Sequence, residues 1–320
     1  MDATEQTIAR AGLERKGSRA EALWRHRLEF EARARARHQH AKSVGRDLAE
    51  ALLTFGLKVL GLYARGRRNA HNPILREERI TFENLPPQFD GFKILHLSDF
   101  HFSPEDHTFP DTVASFLKGI HADACVLTGD YVFGRLDPGT HVGPTLQRVL
   151  AGVSTKHGVY AVLGNHDLSG LVDGLRDAGI RLLVNQGRSI ENGGAQLWIG
   201  GVDDPHRFQC ASIEAALAGS PPGAFTLLLA HSPEVVHQAE QHGVDLYLCG
   251  HTHGGQIRLP LIGAIHLNTR CERIYSAGRW ACGAMQGYTT WGIGTTDIPV
   301  RYNCPPEAVL ITLRRAQQTA

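Results

Sequence analysis

Three features that would each indicate a class of protein are missing from this sequence of 320 residues. The six cysteines form no C-x-x-C pair, so nothing predicts a disulfide framework, and we expect a reducing compartment. The sequence also has no large excess of positive or negative charge. Its net charge is +1 at pH 7, which gives no indication of a nucleic-acid partner. The apolar stretch Ala51–Ala64 contains Lys58 and is shorter than the roughly 20 residues of a membrane-spanning helix.

The N-terminal residues 1–70 are predicted to be a basic helical extension. They carry fifteen Lys and Arg against eight Asp and Glu. About fifty charge-rich residues precede the apolar stretch, so we expect no secretory signal and a cytoplasmic protein. Residues 1–46 are rich in Ala, Arg and Glu, which predicts a helix that is partly solvated or mobile.

A narrow polar stripe beside a broad apolar face predicts a second, amphipathic helix over residues 47–65. It is flanked by four arginines: Arg46, Arg65, Arg67 and Arg68. Such a segment, residues 47–68, is able to lie peripherally on the anionic inner face of a membrane. The pattern fits equally well a helix that packs on the main domain or on a partner.

From about residue 76 onward, short apolar runs alternate with helical segments, which predicts an α/β domain over residues 76–320. The predicted strands are Arg79–Phe82, Lys93–Leu97, Ala124–Leu127, Val159–Leu163, Leu197–Ile199, Phe225–Leu229, Val244–Cys249, Ile265–Leu267, Gly283–Thr289 and Ala308–Leu313. Helices are predicted at Pro110–Ile120 and Pro233–His242. Residues 257–303 are rich in Gly and Thr and are predicted to be antiparallel β structure.

Five polar motifs follow directly on predicted strands. They are S-D-F-H at 98–101, T-G-D-Y at 128–131, G-N-H-D at 164–167, H-S-P-E at 231–234 and G-H-T-H-G-G-Q at 250–256. Ligand sites in open α/β sheets gather beyond the carboxyl ends of the strands, so five strands direct Asp, His and Asn to one region. Each motif alone is weak, because Gly, Asn and Asp also favour turns. Together they predict a single site.

The motif at 250–256 is the most informative of the five. His251 and His253 are separated by one residue, and in extended backbone two such side chains project to the same side. Glycines on both sides allow the main chain to pass close to a ligand. Because imidazole is the commonest side-chain metal ligand, the motif predicts a metal site at the end of a strand.

The donors that these motifs offer indicate two metal ions. Two carboxylates, four imidazoles and one amide oxygen are too many for one tetrahedral zinc, and they suit two ions that share an aspartate. Nitrogen and oxygen donors without thiolate favour Mn, Fe or Zn. Two carboxylates leave the site net positive, which suits an anionic phosphate. Two such ions can polarise a phosphoryl oxygen and hold a hydroxide for in-line attack on phosphorus.

The ordered set D-F-H, G-D, G-N-H-D, H and G-H-T-H resembles the calcineurin-like metallophosphoesterase superfamily over about residues 90–256, with weaker similarity to near residue 313. The resemblance implies an α/β fold in which a two-sheet β-sandwich is flanked by helices. It implies a first metal ion bound by Asp99, His101 and His253. It implies a second ion bound by Asn165, His231 and His251, with Asp130 bridging the two. His166 would be the acid or the phosphate contact, oriented by Asp167.

Later motifs are similar to one bacterial branch of that superfamily. They are G-H-T-H-G-G-Q-I-R-L-P from 250, G-I-G-T from 292 and P-V-R from 299. Members of this branch act near the membrane, some are phosphodiesterases, and one relative cleaves the pyrophosphate of a UDP-linked acylated glucosamine.

The resemblance therefore implies a dinuclear metal-dependent phosphohydrolase, a phosphodiesterase or pyrophosphatase, that acts on a phosphate-ester or pyrophosphate substrate. Its cofactors would be two divalent or mixed-valence ions of Mn, Fe or Zn. One alternative is a non-catalytic metal-binding scaffold, against which the intact ligand set argues. Another is a nucleic-acid-processing phosphoesterase that uses the basic extension. That extension lacks the interleaved aromatic residues that stack on bases, so we do not expect nucleic acid as a partner.

Three further residues have weaker signals. Arg301 suits either a phosphate contact or a surface ion pair. Asp204 and His206 either line the cleft or, as loop residues, serve turn geometry.

Overall fold

The computed structural model describes residues 7, 9, 11–12, 18–38, 44–264 and 266–317, with the backbone alone for 37–38 and 44–50. Much of the helix predicted at 1–46 therefore lies outside the described residues, as does Ile265 of a predicted strand.

Three helices form the described part of the N-terminal extension: α1 Arg19–His38, α2 Val44–Val59 and α3 Leu62–Ala70. One continuous helix was predicted over 47–65, and the structure corrects this. Gly61 has a left-handed backbone, with φ of 68°, which ends α2 and begins α3. Among the described residues, no helix is both long enough and apolar enough to cross a bilayer.

The helix α1 is docked on the rest of the chain. Trp24 and Arg27 are fully buried, and Glu31 is 4% exposed. The helix is partly solvated, as expected, since residues such as Arg25, Glu29 and Arg33 are exposed, but its other face buries charged side chains whose partners the sequence pattern does not reveal.

Sixteen strands occur in the described residues. They are β1 Ile74–Phe82, β2 Lys93–Leu97, β3 His121–Ala122, β4 Ala124–Leu127, β5 Ser154–Thr155, β6 Val159–Ala161, β7 Arg181–Leu182, β8 Gln186–Asn192, β9 Ala195–Gly201, β10 Phe225–Leu229, β11 Leu246–Cys249, β12 Arg258–Leu259, β13 Gly263–Ala264, β14 Gly278–Cys282, β15 Met285–Thr289 and β16 Glu307–Arg315. The remaining α-helices are α4 Thr108–Leu117, α5 Val142–Leu150, α6 Leu171–Asp177, α7 Ile213–Leu217 and α8 Val236–Gln241.

Two six-stranded sheets contain most of these strands. The first has the order β1-β16-β2-β4-β6-β7 and the second the order β14-β15-β11-β10-β9-β8. In the first sheet β2, β4, β6 and β7 are parallel. In the second sheet β9, β10, β11 and β15 are parallel, with antiparallel strands at both edges. Parallel strands end at the same edge of a sheet, so each sheet gathers its loops at one end.

Alternation along the strands divides the interior into layers, because successive side chains point to opposite faces. Ile94 and Val126 of the first sheet share a buried cluster with Leu227 and Leu246 of the second. The outer face of the first sheet packs under α4, α5 and α6, and the outer face of the second packs under α7 and α8. The predicted fold, a two-sheet β-sandwich flanked by helices, is confirmed.

Two predictions for the C-terminal third need correction. His266 and Leu267, the described part of the strand predicted at Ile265–Leu267, are not in a strand, and the nearest strand is β13 at Gly263–Ala264. Residues 257–303 do contain the antiparallel hairpins β12–β13 and β14–β15, but β15 also pairs in parallel with β11, and loops make up the remainder.

Candidate metal centre

The five polar motifs lie beyond the carboxyl ends of parallel strands from both sheets. Three follow β2, β4 and β6 of the first sheet, and two follow β10 and β11 of the second. The structure brings the seven predicted donor side chains together, each no more than 5% exposed. They are Asp99, His101, Asp130, Asn165, His231, His251 and His253.

A first cluster contains Asp99, His101 and His253, whose donor atoms lie within 4.8 Å of one another. The His253 Nε2 atom is 3.4 Å from Asp99 Oδ1. It is also 3.1 Å from His101 Nε2. At most one of these two facing Nε2 atoms carries a hydrogen. At least one of them therefore has a free lone pair, which is directed between the two rings.

A second cluster surrounds His231, and its donor atoms likewise lie within 4.8 Å of one another. The His231 Nε2 atom is 3.3 Å from Asp130 Oδ2 and 3.1 Å from His251 Nδ1. It is 2.9 Å from Asn165 Oδ1. The imidazole of His231, which is 66 residues away from Asn165, therefore lies at the centre of this cluster.

Asp130 lies between the two clusters. Its Oδ2 atom is 3.6 Å from His101 Nε2 in the first cluster and 3.3 Å from His231 Nε2 in the second. Its other oxygen, Oδ1, accepts a hydrogen bond of 2.8 Å from the backbone N–H of His166. One carboxylate oxygen thus reaches an imidazole of each cluster while the other is held by the backbone.

Five of the seven donors have a left-handed backbone, which L-residues other than glycine rarely adopt. Their φ angles are 56° for Asp99, 48° for His101, 55° for Asp130, 73° for His251 and 50° for His253. This corrects the expectation of extended backbone at 251–253. The turn does not project the two imidazoles to one side; it delivers His251 to one cluster and His253 to the other. Such conformations persist where the surrounding structure holds them in place, and they concentrate at functional sites.

Hydrogen bonds on the outer side of two imidazoles determine which ring nitrogen carries hydrogen. The His101 Nδ1–H donates to the carbonyl of Val132 at 3.1 Å, and the His231 Nδ1–H donates to the carbonyl of Thr128 at 2.8 Å. A carbonyl cannot donate, so Nδ1 is the protonated nitrogen and Nε2 is directed into the clusters as a lone-pair donor. Metal-binding histidines in proteins are oriented in the same way.

The ionisation of the cluster residues follows from burial and from their mutual charges. Burial lowers the pKa of His251 and His253 well below the ordinary value, and neighbouring His231 and His101, respectively, add to this. Burial opposes ionisation of Asp130, but the surrounding histidines hold its pKa well below the usual range. His231 differs: burial lowers its pKa, yet the Asp130 charge raises it to about 10. A proton and a metal ion compete for that nitrogen.

The donor set fits divalent metal ions. Lone-pair nitrogens, carboxylate oxygens and an amide oxygen face one another at 2.9–3.6 Å. None of these seven side chains is a thiolate, and nitrogen and oxygen donors of this kind suit first-row divalent metals.

His166 adjoins the first cluster, but the expected role of Asp167 needs correction. The His166 ring packs edge-on against His101, with centroids 4.8 Å apart, and its Nδ1 atom has no hydrogen-bond partner among the described residues. The Asp167 carboxylate does not bond this ring. It accepts backbone N–H groups of Asp130, Tyr131 and Gly164 at 2.7–2.8 Å. Asp167 therefore holds the loops that carry the donors, because its two oxygens accept three backbone N–H groups from them. Burial lowers the pKa of His166 to about 3.

Arg301 has neither of its expected roles. It is fully buried, and its guanidinium donates to backbone carbonyls of Trp291, Gly292, Gly294 and Cys304. The planar guanidinium has five N–H donors, so a single arginine can bind several carbonyls of a loop at once. Its Nη2 atom is also 3.4 Å from His253 Nδ1, so Arg301 supports the first cluster from behind.

Asp204 and His206 each have one of the two expected roles, turn geometry and a place beside the cleft. The Asp204 carboxylate accepts the backbone N–H groups of His206, Arg207 and Phe208, which is turn geometry. The His206 ring lies beside the second cluster, 4.3 Å from the His251 ring centroid, and its Nδ1 is 2.6 Å from Glu234 Oε1. Sequence reasoning did not assign a role to Glu234. Its place as the last residue of the H-S-P-E motif was the available signal.

The donors open onto a cavity of about 550 Å³. His101, Asp130, His166 and His251 form part of its lining, and Leu53 of α2, Ile257 and Ile298 form an apolar wall. The N-terminal extension therefore contributes directly to the space in front of the clusters.

Comparison with known proteins identifies the family. A family model described as calcineurin-like phosphoesterase matches residues 92–255. The uncharacterized metallophosphoesterase YkuE of Bacillus subtilis is 30% identical over 297 residues, which cover 87% of this chain and 98% of that protein. The phosphodiesterase YaeI of Escherichia coli is 34% identical over 252 residues, covering 75% and 87%. A Bos taurus transmembrane protein with metallophosphoesterase domain is 28% identical over 291 residues, covering 85% and 63%.

The matched residues 92–255 contain all seven clustered donors. Members of this family are phosphoester hydrolases that use divalent metal ions, in agreement with the donor chemistry described above. The chain belongs to the calcineurin-like phosphoesterase family.

Proposed function

We propose that this chain is a dinuclear metal-dependent phosphodiesterase or pyrophosphatase. The observation that carries the proposal is the pair of buried donor clusters joined by Asp130. Asp99, His101 and His253 would hold the first ion. Asn165, His231 and His251 would hold the second, and Asp130 would bind both.

Ions of Mn, Fe or Zn at these donors would polarise the phosphoryl oxygens and activate water as the nucleophile. The protein's own contribution is position and exclusion of solvent. The donors are buried and the outer N–H groups of His101 and His231 are bonded to carbonyls, so these side chains need little rearrangement when substrate arrives. His166 lines the same cavity and would contact the phosphate or the leaving oxygen. Asp167 would act indirectly, by holding in place the loops that carry Asp130 and Asn165.

The size of the cavity supports a substrate larger than a simple phosphate. At about 550 Å³ it lies within the range of sites that enclose drug-sized molecules. Its apolar wall favours a substituent with apolar surface on one side of the phosphorus. A diester or pyrophosphate supplies such a substituent, and the E. coli relative is named a phosphodiesterase. A UDP-linked acylated sugar belongs to this chemical class.

We further propose peripheral membrane contact through residues 47–68, on the inner face of the membrane. One edge of α2 packs on the domain, where Leu57 contacts Ile298 and Val300. The opposite face leaves apolar side chains in solvent, among them Phe55 at 67% and Val59 at 68% exposure. The hairpin β12–β13 follows Ile257 of the same wall, and its tip exposes Leu261 and Ile262. Apolar side chains with flanking arginines are typical of interfacial helices.

The test of the catalytic proposal is turnover by the purified full chain. Bis-p-nitrophenyl phosphate, p-nitrophenyl phosphate and a UDP-linked pyrophosphate are compared, first metal-free and then with Mn, Zn or Fe. We expect metal-dependent hydrolysis that favours the diester or the pyrophosphate, with two ions bound per chain by elemental analysis. Replacing His231 with Ala should remove an ion and the activity together. A preference for the monoester, or full activity with one ion, would contradict the proposal.

A further inference from the structure

The helix α1 lies directly beneath the loop 164–169, which carries Asn165 and His166. Arg27 is the central contact. Its Nη2 donates to the backbone carbonyl of Asp167, 140 residues away in sequence, and its Nη1 donates to the carboxylate of Asp203. Its Nε donates to Glu31 of the same helix at 3.1 Å. The guanidinium also lies over the ring of Phe208, 4.0 Å from its centroid.

Glu31 holds the far end of the same loop. Its Oε1 accepts the backbone N–H of Ser169 at 2.9 Å, and its Oε2 accepts the Ser169 hydroxyl at 2.7 Å. Arg27 therefore binds the backbone carbonyl of Asp167, and Glu31 binds the backbone N–H of Ser169, two residues further along the loop. An ion pair on one helix supplies both groups.

A third contact reaches the loop through a neighbouring residue. Arg207 donates from Nη1 to the backbone carbonyl of Asn165 at 2.9 Å. Its guanidinium lies over the rings of Phe30 on α1 and Phe208. Contacts of α1, and of Arg207 packed against it, thus bear on the backbone of residues 165, 167 and 169.

The charges of this contact are buried and would be unfavourable without one another. Arg27 and Asp203 are fully buried, and Glu31 is nearly so. Burial lowers the pKa of Arg27, but the Asp203 and Glu31 carboxylates raise it above its ordinary value, so the guanidinium stays charged. Removing one partner of such a network is strongly destabilising, because it leaves a buried charge without compensation.

We propose that Arg27 and Glu31 are positioning residues that hold the loop 164–169 in the conformation in which Asn165 and His166 reach the donor clusters. The inference rests on the proposed function and extends it to the N-terminal extension. Neither residue touches the clusters, and both act through the loop backbone.

The decisive variant removes the ion pair without leaving a buried charge alone. Arg27→Met/Asp203→Leu is made in a Glu31→Gln background, so that the cation and both buried carboxylate charges are removed together, and apolar replacement of a whole buried network of this kind is often neutral for stability. Arg33→Met is the matched control, because Arg33 is on the same helix with its side chain 60% exposed. Ser169→Ala is the mild variant, since it removes only the hydroxyl bond to Glu31.

Four quantities are measured on the full chain: melting temperature, bound metal, kcat and KM for bis-p-nitrophenyl phosphate, and hydrogen exchange of residues 162–170. We expect the combined variant to lose about 10- to 100-fold in kcat or in metal affinity, as losses of outer supporting contacts do. Exchange in the loop should accelerate while the melting temperature stays near wild type. Ser169→Ala should show the same changes at a several-fold level, and Arg33→Met none.

Three outcomes would overturn the inference. One is a combined variant with wild-type loop exchange and wild-type kcat. Another is a kcat that falls only in step with the melting temperature, which a merely structural role predicts. The third is Ser169→Ala with unchanged exchange and turnover. Absence of turnover in the wild type would instead refute the proposed function, and loop exchange would still test whether α1 orders the loop.

Discussion

The helices α1 and α2 both belong to the N-terminal extension, yet their relations to the domain are opposite. By composition α1 is the polar helix, rich in Arg and Glu, but it buries Trp24, Arg27 and Glu31. By composition α2 is the apolar helix, but it leaves Phe55 and Val59 in solvent. Hydrophobic pattern alone would assign their burial the wrong way round.

The difference teaches that burial depends on available partners as well as on polarity. Arg27 can be buried because Asp203, Glu31 and a backbone carbonyl satisfy its donors. Nothing among the described residues covers the outer face of α2, so its apolar side chains stay exposed. The polar helix therefore supports the site from beneath, and the apolar helix forms one wall of its opening.

Breaking the α1 contact should give the largest effect on stability. Arg27→Ala leaves the Asp203 and Glu31 carboxylates buried without their cation, and we expect a loss of about 3–5 kcal/mol in the free energy of unfolding. Lys58→Ala on α2 is the matched control, because Lys58 is exposed, and it should change stability by less than about 0.5 kcal/mol. Urea unfolding of both variants measures this. Equal effects from the two replacements would remove the distinction between the helices.

The second comparison concerns the two walls of the cavity. His166→Ala, in the loop held by α1, should lower kcat about 100-fold with metal content near normal, because a contact to the reacting group is lost. Leu53→Ala, in α2, should raise KM a few-fold and leave kcat unchanged, because it removes apolar contact made equally in ground and transition states. Steady-state kinetics with elemental analysis separates the cases. Loss of metal in His166→Ala would make that residue a ligand or a structural group.

The third comparison uses pH. Burial raises the pKa of Asp203 to about 6, although the charge of Arg27 opposes this, while an unfolded Asp titrates near about 3.9. Between these values the folded state binds more protons than the unfolded state, so this contribution to stability grows as the pH falls and is lost as the pH rises through 6. Arg27, Glu31, Asp204 and Cys210 are the charged or titratable groups around it.

Asp203→Asn removes this contribution. As the pH falls from 6 to 4, the free energy of unfolding of the metal-free wild-type protein should rise relative to that of the variant, by up to about 1.4 kcal/mol for each pH unit. Urea unfolding at several pH values checks it, and parallel curves for the two proteins would show that the contact of α1 carries no such linkage. The described side chains of α2 include no buried ionisable group, so replacing Lys58 should leave the curve unchanged.

The interior strands of the fold could be predicted from sequence, and the edges could not. The predicted bounds of β2, β4 and β10 agree with the structure, because these strands are continuous apolar runs buried on both faces. The edge strand β8, Gln186–Asn192, was missed, and half of the edge strand β1 was missed with its charged residues. Polar side chains prevent an edge strand from pairing with further strands. They also remove the apolar pattern by which a strand is predicted from sequence.

The candidate site divides in the same way. Its seven donors follow strands in short polar motifs, so local sequence and strand topology predicted that they would meet. The residues that support them have no local signal. Arg27 meets Asp203 at a separation of 176 residues, and Arg207 meets the carbonyl of Asn165 across 42. Long-range contacts of ordinary polar residues with backbone atoms leave no motif in a single sequence.

The left-handed turns of the site were also beyond sequence reasoning. Asp and His at positive φ have no distinctive neighbours apart from glycines, and those glycines are explained equally by ordinary turns. Here the glycines permit close approach of neighbouring loops. A side chain at Gly129 would meet the backbone of Gly164, and one at Gly292 would meet Asp99.

The smallest effect on stability is expected on the outer face of α2. Phe55→Ser/Val59→Ser should change the free energy of unfolding by no more than about 0.5 kcal/mol, because both side chains are already in water. The same variant should lose flotation with anionic vesicles, since apolar insertion contributes most of the affinity of an interfacial helix. Leu57→Ser is the contrasting variant on the same helix. It is 9% exposed against Ile298 and Val300, so it should lower stability by about 2 kcal/mol or more.

Vesicle composition sharpens this last comparison. Neutral vesicles should bind more weakly than anionic ones, because the arginines that follow α2 attract anionic headgroups. If the serine variant floats as well as wild type, the exposed face of α2 is not the contact. If wild type binds duplex DNA but no vesicle, the basic extension serves a nucleic-acid partner instead. In either case the contact of α1 beneath the loop would stand, since it depends on buried charges and not on the exposed apolar face.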